Sequence, residues 1–405
     1  MLIAGCGPAG AELARLLARR GVDVLVVEAL PDLARAAFSS AALPLAALER
    51  FEIPAEVVAH RWTGWRLLGP GPADRHWRAC DGRPLGAVLD FAALRRWLAG
   101  QAQGFGAQIA LGWRALAVQQ PGGMVRTRLR GPGGEECWLT SRWVVDATGQ
   151  QRGLLGDPPA SRSDPLVSGL GAEWLLEIPL ERWRPWSDQL TFLMGSDWMP
   201  QGYGWVFPMQ PGQLKLGVCR LNDDAGATGG PPLAGRRQQP PLGPWLEATL
   251  ARTGLAEARV LDRHGGLIRS TVRRREPHQR GQLIGLGDAV STANLLGGEG
   301  IRHAMASARV LASLLLQALN GEPERLRTYP GRLRRELGWR WGLSGRLARR
   351  TWLGLEGPRA DRRLERLLMG LEQQHSAEDL SALLFDYRFE RYGLRALPYV
   401  LGWRR

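Results

Sequence analysis

Runs of apolar and polar residues give the chain a mixed α/β order. Met1 to Ala4 and Asp23 to Val27 are short apolar strands, with a helical stretch from Ala11 to Arg20 between them and Gly21 where that helix stops. Phe91 to Gln103 has helical spacing and leads into a short strand near Gln108 to Leu111. From 113 to 145, strands alternate with Gly-rich turns, and the last of them, Trp143-Val144-Val145, has the pattern of a buried strand. Residues 156–166, rich in Pro, Ser and Asp, form a crossing between domains. Residues 167–220 alternate apolar and polar positions with several Trp, the pattern of an antiparallel sheet; 222–244 is a mobile loop, and 259–272 returns as strand. Gln282 to Gly287 is another apolar strand, Ile301 to Leu319 a long helix, and the remainder is mostly helical. No internal repeat is present.

Composition narrows the class. A chain of 405 residues with 44% hydrophobic and 23% charged residues is long enough for two or three folded domains. The net charge of +14 comes almost wholly from arginine, since Lys215 is the single lysine; no nucleic-acid-binding motif accompanies it, so nucleic acid is not an expected partner. Cys6, Cys80, Cys137 and Cys219 form no CxxC pair, and His60, His76, His264, His278 and His375 have no metal-ligand spacing, so neither disulfides nor a metal site is expected. No apolar run reaches the ~18 residues of a membrane span. The start, MLIAGCGPAG, lacks the basic region of a signal peptide, and a cytoplasmic location is expected. The first strand has about four residues, fewer than the typical five or six; either it is short or the chain begins further upstream.

The first thirty residues carry the clearest chemistry. Gly5-Cys6-Gly7-Pro8-Ala9-Gly10 follows a strand and opens a helix, and Glu28 closes the next strand. Gly5 permits the tight turn, Gly7 lets the backbone approach a pyrophosphate, and Gly10 lets helix and strand pack closely. The helix start offers unpaired N–H groups to phosphates, and Glu28 can accept the hydroxyls of an adenosine ribose while disfavouring a 2′-phosphate. The fold class that follows is α/β. It has a Rossmann-like dinucleotide-binding domain (1–165 and 275–320), a second antiparallel-sheet substrate domain (166–274) and C-terminal helices (321–405).

Two further motifs fit the same ligand: Val144-Val145-Asp146-Ala147-Thr148-Gly149, and Gly287-Asp288 followed by Gly297-Gly298-Glu299-Gly300-Ile301. Each alone is equally a strand end with a turn. In this order they resemble the FAD-dependent oxidoreductases of the aromatic-hydroxylase structural group, most closely the geranylgeranyl reductases, with lycopene cyclases as near relatives. The likeness covers about residues 1–320. It implies that Gly5, Gly7, Pro8, Ala9, Gly10 and Glu28 hold the FAD pyrophosphate and adenosine. It also implies that Ala147, Thr148 and Gly149 run beside the cofactor and that Asp288, after Gly287, meets the sugar-alcohol linker. Gly297, Gly298, Gly300 and Ile301 would lie under the flavin ring. Gln201 to Pro208, QGYGWVFP, resembles the strand that lines the lipid tunnel in geranylgeranyl reductases, which makes Tyr203, Trp205, Phe207 and Pro208 substrate-binding; the residues alone equally fit a core strand.

The resemblance implies reduction of carbon–carbon double bonds in a lipophilic isoprenoid, with FAD reduced by transient NAD(P)H. Cyclase-like chemistry without net redox change, aromatic hydroxylation and pigment binding without turnover are the alternatives. The chain departs from the family at Phe91, where an Arg reaches the FAD and for which Arg95, Arg96 or Arg35 are substitutes, and in Ser39 to Leu48, which lacks a Cys. Lys215 lies in the wrong segment for the lysine of flavin-dependent halogenases. His303 reads either as a general acid or as a packed histidine. Leu333, Leu337 and Trp341, ringed by Arg332, Arg334, Arg335 and Arg340, make a basic amphipathic stripe that suits either a peripheral membrane contact or the core.

Overall fold

The computed structural model describes residues 1–390 except 36, 38, 160, 162, 223–239 and 375. Most of the loop expected at 222–244 therefore lies outside the described residues.

A six-stranded sheet runs in the order Gln279–Arg280, Leu283–Gly285, Val144–Asp146, Leu2–Ala4, Leu25–Glu28, Gln108–Leu111. All neighbours are parallel except the first pair. The central strands are buried along their whole length, which is why they read as unbroken apolar runs rather than alternations. The helices Pro8–Ala18 and Ile301–Leu319 pack on this sheet and on each other. Glu12, fully buried, ties them together by accepting from Arg15 at 2.8 Å and Arg309 at 3.1 Å. The first helix begins three residues earlier than its apolar spacing suggests, because Pro8 stands at its first turn with φ already set for a helix.

The second sheet has seven strands, ordered Arg259–Thr271, Leu166–Glu177, Gln213–Asn222, Gly202–Pro208, Gln189–Met194, Gly64–Leu68, Asp74–Arg78. The last two come from the segment assigned above to the nucleotide-binding domain. There Trp65, Leu67 and Trp77 alternate onto one apolar face that joins the aromatic cluster of this sheet. Gly64–Leu68 joins its neighbour in parallel, so the sheet is mixed rather than wholly antiparallel, and the helix Leu180–Ser187 interrupts the expected run of strands.

The two faces of this sheet differ. One buries Leu176, Val206, Leu216 and Val218 against Leu246 and Leu250 of the helix Gly243–Arg252. The other carries Tyr203, Trp205 and Phe207, with Trp352, Leu368 and Phe385 of the C-terminal region packed over them. The stripe at Leu333 and Trp341 is 3% and 2% exposed, so it serves the core and not a lipid surface. Gly338, at φ 79°, breaks the helix Tyr329–Leu353 and turns Trp339 outward, 66% exposed. Among the described residues no helix is long and apolar enough to cross a membrane.

Candidate functional site

Leu2–Ala4 lies between Leu25–Glu28 and Val144–Asp146, so the turns at their carboxyl ends are neighbours, the usual ligand position in such sheets. Gly5 has φ +109°, and a Cβ there would run into the carbonyl of Ala147. A Cβ at Gly10 would collide with the carbonyl oxygen of Gly5 and stand 3.1 Å from the Ala147 Cβ. At Gly7 it would meet nothing within 4 Å, so this edge of the loop faces open space. The helix behind it has no side-chain cap and no acid in its first turn, which leaves its first N–H groups for an anion.

Glu28 accepts from the Cys6 N–H at 2.8 Å and the Leu30 N–H at 2.9 Å, one bond to each oxygen, and keeps lone pairs for further donors. Its cation comes from Arg95, one turn after Phe91: the guanidinium is buried, 3.9 Å from Glu28, and also donates to the Arg35 carbonyl. Of the three substitutes named above, Arg96 is exposed and Arg35 meets Arg95 through its backbone.

The second motif is shaped by Asp146, which the motif reading passed over as a site residue. Its buried carboxylate accepts from Thr148 N at 3.1 Å, Thr148 Oγ1 at 2.6 Å, Leu154 N at 2.9 Å and Leu155 N at 2.7 Å, and so fixes the Ala147-Thr148-Gly149 turn. Arg152, 1% exposed, then donates to the Ala289 carbonyl at 2.8 Å and Ser291 Oγ at 2.7 Å, tying this turn to the third motif. Gly287, with φ +63°, would place a Cβ 2.8 Å from that of Ala9, so the third motif touches the first. Asp288 accepts from Thr292 Oγ1 at 2.9 Å, and burial pushes its carboxyl above the usual carboxylate range. Gly300 caps the helix opened by Ile301, and a Cβ on it would lie 3.6 Å from Asp288 Oδ2. A Cβ at Gly297 would have no neighbour within 4 Å.

All the cofactor residues named from sequence therefore converge on one cradle. Open backbone at Gly7 and Gly297, two uncapped helix starts and carboxyls at Glu28 and Asp288 fit a dinucleotide that carries hydroxylated sugars. His303 is not aimed into this cradle. It is 4% exposed, faces Trp341 and the Glu299 carbonyl, and burial holds its pKa well below the ordinary value, as befits a packed neutral imidazole.

The aromatic face meets the cradle at Gly298, where a Cβ would come within 2.9 Å of Tyr203 Oη and 3.9 Å of Ile268. Tyr203, Trp205 and Phe207 alternate onto this face, while Pro208 takes the opposite parity and points with Val206 to the aliphatic side. Pro208 is accordingly a sheet residue rather than part of the aromatic wall. Trp205 lies over Gly217, whose missing side chain makes the room, and donates to Glu173 Oε2 at 2.7 Å. Cys219 stands beside Tyr203, and burial pushes its thiol up to about 12, so it is no thiolate. Lys215 is buried where the sheet meets the first domain and donates to the Ser39 carbonyl at 2.6 Å. Burial lowers its pKa, with Glu173 and Asp90 opposing the shift. Glu173 and His264 escaped the sequence reading because only strand register brings them to the aromatic face; the one available signal was a Glu at an inward position of an alternating strand.

Comparison with known proteins bears on the family and the fold. The family described as "FAD binding domain" matches residues 1–42. A digeranylgeranylglycerophospholipid reductase of Haloferax volcanii is 30% identical over 79% of this chain and 76% of its own length. A menaquinone reductase of Mycobacterium tuberculosis is 25% identical over 78% of this chain and 76% of its own. The crystal structure of a geranylgeranyl bacteriochlorophyll reductase-like protein from Thermoplasma acidophilum superposes with a TM-score of 0.78 at 21% identity, covering 98% of both chains, and so shares the fold. Fold, cradle and relatives together define an FAD-dependent oxidoreductase. Within that class, the chain belongs to the geranylgeranyl reductase family.

Proposed function

We propose that the protein saturates carbon–carbon double bonds in the isoprenoid portion of a lipophilic substrate, using FAD reduced by NAD(P)H. The observation that carries this reading is the aromatic face in contact with Gly298: Tyr203, Trp205 and Phe207, with Trp352 only 4.9 Å from Tyr203, form an apolar wall beside the cradle. Such a wall suits a polyprenyl chain, and the relatives named above act, by their names, on prenylated lipids and a quinone.

In this reading Gly5, Gly7, Pro8, Ala9 and Gly10 hold the pyrophosphate, Glu28 the ribose, and Ala147, Thr148 and Gly149 the flank of the cofactor. Gly287, Asp288, Gly297, Gly298, Gly300 and Ile301 hold its flavin half. When bound and reduced, FAD supplies hydride. The protein's own contribution is to orient the substrate on the aromatic face, exclude water through the cover of the C-terminal helices, and deliver a proton to the second carbon. The test is anaerobic titration of the purified flavoprotein with NADPH and then NADH, followed by mass spectrometry of a geranylgeranylated lipid and a prenylquinone. Bleaching of the flavin and gain of two hydrogens per saturated bond are expected. An unchanged lipid mass would overturn the reading, and cyclised or oxygenated products would replace it.

A further inference from the structure

The cradle and the aromatic wall leave one part of a double-bond reduction unassigned, the proton. Strand register sets three rows across the aromatic face. Tyr203, Cys219 and Gly171 form the row that touches Gly298; Phe207, Lys215 and Leu175 form the row that Lys215 bonds to Ser39. Between them runs Trp205, Gly217, Glu173 and His264. This middle row is thus one step along the sheet from the row that meets Gly298.

From Asp262, in register with Leu175 at the sheet edge, polar groups form a continuous path inward to this row. Asp262, 63% exposed at its side chain, stands 3.2 Å from His264 Nδ1; His264 Nε2 lies 3.0 Å from Glu173 Oε1; Glu173, 5% exposed, accepts from the Trp205 indole at 2.7 Å. Lys215 on the adjacent strand also acts on Glu173 through its charge, and Asp90 acts on Lys215 in the same way. A carboxyl this deeply buried at an apolar wall, joined by a bridging imidazole to a solvent-exposed carboxylate, has the layout of a proton relay.

We propose that Glu173 is the catalytic acid and His264 the residue that reprotonates it; the assignment rests on the reading of double-bond reduction given above. Saturation adds two hydrogens. One arrives with both electrons, as hydride from the reduced cofactor. The other is the Glu173 carboxyl proton: its O–H bond breaks, a C–H bond forms at the second carbon, and the carboxylate regains a proton from His264, which takes one from water beside Asp262.

The test is Glu173→Gln, which keeps an acceptor for the Trp205 indole, alongside Glu173→Asp and His264→Asn. Flavin content, rate of flavin bleaching by reductant and thermal midpoint are measured together with lipid product. In Glu173→Gln, saturation is expected to fall by about 100-fold or more while flavin content and bleaching stay as in the parent; Glu173→Asp should recover part of it. His264→Asn should slow turnover by about tenfold and shift the pH profile of what remains. If the parent saturates lipid and Glu173→Gln does so within about twofold, with the same solvent isotope effect, the relay is overturned and the proposed function stands. If the parent saturates no prenyl lipid, both fall.

Discussion

The two halves of the molecule use glycine for the same purpose against different obstacles. In the first turn of the cradle, what occupies the space of the missing Cβ is backbone: the carbonyl of Ala147 at Gly5, the carbonyl of Gly5 at Gly10. On the sheet, at Gly217, it is the Trp205 ring. Backbone packed in the turns at the strand ends has nowhere to go, whereas an indole can rotate or be replaced. The turn at Gly5 and Gly10 is thus fixed by main-chain geometry and should fail outright when disturbed. The aromatic face at Gly217 is fixed by side-chain packing and should degrade by degrees, although a Cβ at Gly202 on the next strand would meet the Cys219 carbonyl.

The largest effect belongs to the cradle. Gly10→Ala should abolish bound flavin, measured as visible absorbance per protein, and destabilise the chain by about 3 kcal/mol in urea unfolding. A variant that kept full flavin would break the comparison at its stronger end. Next is acid. His278, 3% exposed beside Tyr329, has no hydrogen-bond partner for either ring nitrogen among the described residues, and burial lowers its pKa to about 4. Glu276 opposes that shift, while Arg152, Arg274 and Arg334 reinforce it. The unfolded chain takes up this proton near the ordinary value of 6.5 and the folded chain does not until about 4. Within that window the unfolded state binds more protons, so stability falls as pH falls. The loss on this account reaches on the order of 3 kcal/mol at the acid end. His278→Gln should flatten the curve between those limits in a series of unfolding midpoints. A slope unchanged by the substitution would place the acid sensitivity elsewhere.

This contrast also explains what could be read from the chain. The strand, glycine turn, helix and acid of residues 1–28 were legible because their geometry depends on local backbone, and Phe91–Gly104, Gln108–Leu111 and Ile301–Leu319 followed from periodicity. The crossing of Gly64–Leu68 and Asp74–Arg78 into the second sheet was not legible, since alternation tells that a strand has one apolar face and not which sheet receives it. Which of Arg95, Arg96 and Arg35 stands beside Glu28 was not legible, because it depends on helix phase. The basic stripe at Leu333 and Trp341 carried the same pattern for lipid and for core, and only packing decided between them. Pro208 was misread by counting along a motif without counting the parity of the strand.

The smallest expected effect tests the softer half. Gly217→Ala should push the Trp205 ring off its place and away from Glu173, costing about 2 kcal/mol, with flavin absorbance unchanged. If the obstacle is the indole, Trp205→Phe should make the alanine cheaper: in that background Gly217→Ala should cost less by about 1 kcal/mol, a coupling of the size found between side chains in contact. At Gly10 no neighbouring side-chain replacement can help, because the obstruction is a carbonyl oxygen. A cycle at Gly217 that is strictly additive would mean the strand backbone there is as unyielding as the cradle, and the distinction between the two halves would fail at the residue chosen to show it.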